Sequence, residues 1–173
     1  PQLIGRLRTK FEGNETVKIY HCMLETFLDD AENKKYDAVV MVNVLEHIED
    51  DVDVLNRLQN TLKPGGHLLL FVPAMPFLFS RLDRIHGHYR RYTRGDLIQK
   101  IDANDYQIKI VKYIDFLGMV PWYVMNTVIG ATEFNQTLVK LYDRVGVPAT
   151  RFFERIIDPP VGKNLLLIAE NRN

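Results

Sequence analysis

A glutamate and a histidine stand side by side just past an apolar run, in Tyr36-Asp37-Ala38-Val39-Val40-Met41-Val42-Asn43-Val44-Leu45-Glu46-His47-Ile48. An acid next to an imidazole can exchange protons with a ligand or hold its polar groups. The run Ala38-Val39-Val40-Met41-Val42 shows no alternation, which predicts a strand buried on both faces of a parallel sheet. In open α/β sheets, ligands sit outside the carboxyl ends of strands. The polar residues Asn43, Glu46 and His47 are therefore candidate site residues by position. The plainer alternative is that Glu46 and His47 cap and solvate a loop.

A second constellation is basic. Arg81, Arg84, His86, His88, Arg90, Arg91 and Arg94 are interleaved with Tyr89 and Tyr92, and only Asp83 opposes them before Asp96. Arginine forks match carboxylate and phosphate oxygens. One reading is a lid that binds an anionic acceptor through Arg90 and Arg91, with His88, His47 or Tyr92 accepting a proton. The other is a solvated basic surface that pairs with acids elsewhere in the chain. No metal site is expected, because His86 and His88 are two apart and no cysteine or third histidine accompanies them at ligand spacing. Cys22 is expected to be a small buried hydrophobe.

The elements that must position these residues alternate. Leu3, Leu7 and Phe11 predict a short amphipathic helix over Gln2 to Phe11, stopped by Gly13-Asn14. Val17 to Met23 reads as a strand. Asp50 or Asp51 can cap a helix whose buried face is Val52, Leu55, Leu58 and Leu62, ended by Lys63-Pro64-Gly65-Gly66. Strands are predicted at His67 to Val72, Tyr106 to Ile114 and Asn164 to Ala169. Strand, helix and strand joined in this way predict an α/β fold. Phe116 to Pro160 is long, apolar and helical by pattern, with Leu138, Leu141, Tyr142 and Val145 at helical spacing. It reads as helices packed on the body or on a second subunit, or as a wall for a large acceptor or a membrane surface.

Composition narrows the classes. The 173 residues are 46% apolar and 25% charged, enough for one buried core. Lys+Arg 22 balance Asp+Glu 22, so no basic surface suits a nucleic-acid binder. The longest uncharged run, Phe116 to Thr132, contains Pro, Gly, Asn and Thr and is short for a membrane span. One cysteine and no leader-like opening fit a reducing, cytoplasmic setting.

Tyr-Asp-x-Val, Val-Leu-Glu-His-Ile, a helix ending Leu-Lys-Pro-Gly-Gly and an apolar strand, in this order, resemble the class I S-adenosylmethionine-dependent methyltransferases. The match runs from about Pro1 to Ala74 and again over Gly162 to Glu170. The segment Gly87-His88-Tyr89-Arg90-Arg91-Tyr92 is similar to one found in a bacterial subgroup of these enzymes. The resemblance implies a Rossmann-like sheet, S-adenosylmethionine as cofactor and a small-molecule or saccharide acceptor. It also implies that Met23 and Leu24 approach the adenine, that Asn43 and Val44 border the methionine part, and that Glu46 lies close behind. Met23 stands where the family often has an aspartate that accepts a bond from the adenine. The family's glycine-rich loop is missing: no Gly-x-Gly occurs here, and neither does the acid that would hold the ribose. Two expectations follow. One is a single methyltransferase domain over 1–173, the C-terminal portion of a longer protein, with residues 116–160 as a helical insertion. The other is a non-catalytic scaffold or partnered half-domain whose gap a partner or a rearranged sheet closes.

Overall fold

The computed structural model describes residues 2–30, 34–102, 105–131 and 136–173. Four strands form one sheet: β1 (Tyr36–Val42), β2 (Leu62–Pro73), β3 (Tyr106–Ile114) and β4 (Asn164–Asn171), in the order β1-β2-β4-β3. β1 and β2 run parallel, with Val39 opposite Leu68 and Val42 opposite Phe71. β4 enters antiparallel between β2 and β3, so that Leu167 faces Leu70 on one side and Val111 on the other. The predicted α/β class and the strands β1 and β3 are as expected. β2 starts at Leu62, five residues before His67, so that Leu62 and Lys63-Pro64-Gly65-Gly66 lie in the strand and not in the helix or its end, and β4 extends two residues past Ala169.

The first helix, α1 (Gln2–Lys10), forms as the spacing predicts, but its apolar side is not covered: Leu3 is 74% exposed. Val17 to Met23 is not a strand. The segment is irregular and leads into α2 (Leu24–Asp30), which buries Leu28. A strand needs a ladder of partners, and among the described residues the outer edge of β1 has none. Cys22 in this segment is exposed, contrary to the buried position expected of it.

The β1–β2 crossover is α3 (Asp51–Thr61). The Asp50 side chain caps it by accepting from the Asp53 N–H at 3.0 Å. Its buried stripe is Asp51, Val54, Leu55 and Leu58, whereas the expected Val52 is turned outward. The shift has a polar cause, since the Asp51 carboxylate is drawn inward by partners described below and sets the helix's rotation. β1 is covered on one face only. Met41 is buried and Val39 packs on the core, but Val40 is 62% exposed, which corrects the expectation of a strand buried on both faces. β2 and β4 supply the core: Leu68, Leu70, Val72, Leu165, Leu167 and Ala169 are all solvent-free.

After β2 come a 3₁₀ turn at Pro76–Leu78, α4 (Arg81–Ile85) and α5 (Arg94–Asp102). After β3, α6 (Met119–Trp122) continues into a π-turn over Tyr123–Val128, and α7 (Gln136–Leu141) continues through Tyr142–Gly146 into α8 (Val147–Glu154). The helical pattern there is as predicted. Its apolar stripe is not in the core: Leu138, Leu141 and Val145 are exposed, and it is Met119 and Trp122 that pack inward.

Candidate functional site

Both parallel strands end in a strained residue. Asn43 after β1 has φ 51° and Met75 after β2 has φ 60°. Non-glycine residues seldom adopt the left-handed region, and such strain collects where a site must be shaped. The Asn43 N–H still donates to Phe71 O at 2.9 Å, so the ladder holds up to the point where the chain turns. A single 3₁₀ turn, Leu45–His47, follows. Leu45 is buried and anchors it. Asn43, Val44 and His47 face solvent, while Glu46 is wholly buried.

The loop from β2 brings a second group to this turn. Ser80 caps α4, its N–H and Oγ each donating to Asp83 Oδ2 at 2.8 Å. Asp83 Oδ1 accepts from Arg91 Nε at 2.9 Å and from His88 Nδ1 at 2.9 Å. Burial alone would raise the Asp83 carboxyl, but Arg91 and Ser80 hold it below the usual carboxylate range. Burial lowers His88 below its ordinary value despite Asp83, so its neutral form is favoured. An ionised carboxylate can only accept, so His88 carries its proton on Nδ1 and presents a lone pair on Nε2. That Nε2 lies 4.0 Å from Glu46 Oε1, and the His47 ring stands edge-on to the His88 ring at 4.6 Å between centroids. Gly87, at φ 78°, makes the tight turn, and the Tyr89 N–H donates to Glu46 O at 2.8 Å, tying the two loops together.

A third group is centred on Asp51. Its carboxylate accepts from the Tyr92 hydroxyl and Lys100 Nζ, each at 2.9 Å, and pairs with Arg90 at 3.0 Å. Arg90 also donates to Glu49 O at 2.6 Å.

These contacts change several expected roles. Arg91 is buried, bonded to Asp83 and Ala74 O, and lies 4.7 Å over the Trp122 ring. Its fork is committed to the fold, and Arg90 is committed to Asp51, so neither offers the free grip on an acceptor that was expected. Tyr92 is fully buried, and burial next to Asp51 raises its hydroxyl well above the ordinary tyrosine range. It donates to Asp51 and cannot serve as the proton acceptor. Glu46 is sealed from the solvent side where a cofactor would lie. Met23 is 71% exposed just ahead of α2, and Leu24 packs on the core. His47, His88 and Glu46 do converge. The sequence gives no sign that Asp51 and Asp83 are hubs, because each looks like a helix-start acid.

Beyond Trp122 lies a cavity of about 590 Å³, lined by Trp122, Met125, Leu138 and Val139. At its polar end Asp115 pairs with Lys163 at 2.6 Å and accepts from the Tyr142 hydroxyl. Trp122 donates to Leu78 O and stacks on Arg91, so a run of direct contacts joins this cavity to His88.

A family profile described as a methyltransferase domain matches residues 1–68. The chain overlays an S-adenosylmethionine-dependent methyltransferase from Archaeoglobus fulgidus with a TM-score of 0.54 at 15% identity, over 94% of this chain and 71% of that one. The chain shares the Rossmann-like fold of S-adenosylmethionine-dependent methyltransferases. A second methyltransferase fold that it matches is an O-methyltransferase from a polyketide synthase multienzyme of Brevibacillus brevis, solved with S-adenosyl-L-homocysteine. The TM-score is 0.55 at 15% identity, over 98% of this chain and 54% of that one. Among curated methyltransferases, a ubiquinone biosynthesis O-methyltransferase of Acinetobacter baumannii is 28% identical over 68 residues, or 39% of this chain. The chain described here spans 28% of the length of that relative. None of its described helices is long and apolar enough to cross a membrane.

Proposed function

We propose that this protein transfers a methyl group from S-adenosylmethionine to a hydroxyl of a small molecule with an apolar body. The observation that carries the reading is the pair of parallel strands β1 and β2, each ending in a left-handed residue, with the exposed Asn43, Val44 and His47 beside them. This is where α/β sheets hold ligands. The cofactor's sulfonium supplies a methyl that is already activated. Asn43 and Val44, exposed at the end of β1, are the residues to hold it, with Leu24 and the backbone near Met23 at its other end. The exposed Met23 thioether is a poor acceptor for an amino group, so that end relies on packing. Glu46, being sealed, makes no direct contact.

The chain's own work is then to position the acceptor and take up its proton. His88 is the favoured base, since its neutral form is stabilised and Asp83 fixes the lone pair on Nε2. His47, exposed beside it, is the second. The cavity bounded by Trp122 suits the acceptor's apolar part. An exposed free thiol at Cys22 is compatible with a reducing cytoplasm.

Calorimetric titration of the purified chain with S-adenosylhomocysteine tests the reading. Micromolar binding, abolished by Asn43→Trp, supports it. A folded chain that binds none, while a longer gene product does, would place the missing contacts outside these residues. No binding by either would leave the scaffold.

A further inference from the structure

We propose that Glu46, His47 and His88 bind one divalent transition-metal cation of the zinc class. The three residues each offer a ligand atom, and these atoms lie within 4.8 Å of one another. Zinc bonds of about 2.0–2.1 Å place tetrahedral ligand atoms about 3.3 Å apart, so side-chain movements of about 1 Å close the set.

Glu46 is the independent observation that calls for a cation. Its side chain has no solvent exposure, and among the described residues neither carboxylate oxygen meets a hydrogen-bond partner. Buried carboxylates are normally bonded, paired or coordinated, and an orphan one needs an explanation. A cation between Glu46 and the two imidazoles supplies it.

His88 is prepared as a ligand. Asp83 accepts its Nδ1–H at 2.9 Å, which fixes the tautomer and aims Nε2 toward Glu46. A carboxylate behind a histidine is the usual outer support of a metal-bound imidazole. Arg91 and Ser80 in turn hold Asp83, so the support is rigid. The Gly87 turn and the Tyr89–Glu46 backbone bond hold the two loops in register.

Two imidazoles and one carboxylate favour zinc, or cobalt in its place, over magnesium and calcium, which prefer all-oxygen shells. Three protein ligands leave one position open, and the exposure of His47 puts that position on the solvent side. The site stands whether or not the chain transfers methyl groups, but a bound cation occupies the imidazole lone pairs, so His88 or His47 can act as a proton acceptor only in the metal-free chain.

The test is titration of the chelator-treated full chain with ZnCl2 and CoCl2. It is read by calorimetry, by cobalt absorption in the visible range and by melting temperature. The expected result is one site per chain, a tetrahedral cobalt spectrum and a zinc-dependent rise in melting temperature. His47→Ala, on an exposed residue, should weaken zinc at least about 100-fold and abolish the cobalt spectrum, relative to the 10–100-fold typical of losing an outer support. Glu46→Gln should do the same, yet melt close to the wild type without metal, because it keeps the side chain's size and shape while removing the carboxylate ligand. A folded wild type that binds no metal overturns the proposal. So does binding of unchanged affinity in both variants, which would assign the metal to surface histidines. If Glu46→Gln fails to fold, His47→Ala alone decides.

Discussion

At the scale of single residues, the arginines of the 81–94 segment show how much a side chain's role depends on its partners. Arg91 contacts Asp83, Ala74 O and the Trp122 ring, all out of water. Removing one member of a buried ion pair leaves the other uncompensated, so Arg91→Ala should cost about 3–5 kcal/mol in denaturant unfolding. Arg91→Lys should recover little of it, because a point charge cannot serve a carboxylate, a carbonyl and a ring together. Asp83 adds a pH signature. Its folded carboxyl titrates below the unfolded value of 3.8. Its contribution to stability is complete above that value and fades as pH falls through the lower folded one. Melting temperatures followed downward from about pH 5 should therefore fall in the wild type. That fall should be shallower in Asp83→Asn, which is less stable throughout. The basic run reads as a lid in the sequence because Asp51, the partner of Arg90, lies about forty positions away. Composition and spacing reveal charges, and only the fold reveals which of them are already spent on each other.

At the scale of elements, β1, α3, β2 and β3 are legible because their apolar periods are strong. The rotation of α3 is not, because one polar contact made by Asp51 outweighs the apolar pattern at Val52. Val17 to Met23 shows the opposite failure: its residues favour a strand, but a strand is a property of two segments. The turn at Gly87 is the element on which the candidate site depends. An added Cβ there would meet nothing closer than His47 Nδ1 at 3.9 Å, so space is not the obstacle. The left-handed φ is. Gly87→Ala should cost about 1–2 kcal/mol by thermal unfolding. It should also loosen the pairing of His47 and His88, visible as altered imidazole NMR signals. The convergence of Glu46 with His88 was hidden in the sequence, since it depends on two strand ends lying side by side.

At the scale of the whole molecule, the sheet has, among the described residues, an open edge at β1 and an uncovered face at Val40 and Val42. Val128, Ile129, Phe152, Ile156 and Ile157 are also exposed. Unpaired edges and apolar patches promote association. The purified chain should self-associate in sedimentation velocity as its concentration rises. Val40→Lys with Val42→Lys should reduce that association and change stability by only about 0.5 kcal/mol per site. An unchanged sedimentation profile would mean that another surface, such as the helices after β3, carries the contact.

The central place of β4 has a temporal meaning. β2 is made early, yet the neighbour on its second side arrives about ninety residues later, when Asn164 is added opposite Pro73. β3 waits for the same strand. While the ribosome is still making the helices between them, β2 and β3 are two hydrogen-bonding ribbons with no ribbon to join them. Chaperone capture and misassembly should concentrate in that interval. Pulse-labelled nascent chains halted before Asn164 should be digested rapidly by protease, and those extended past Asn171 should resist it.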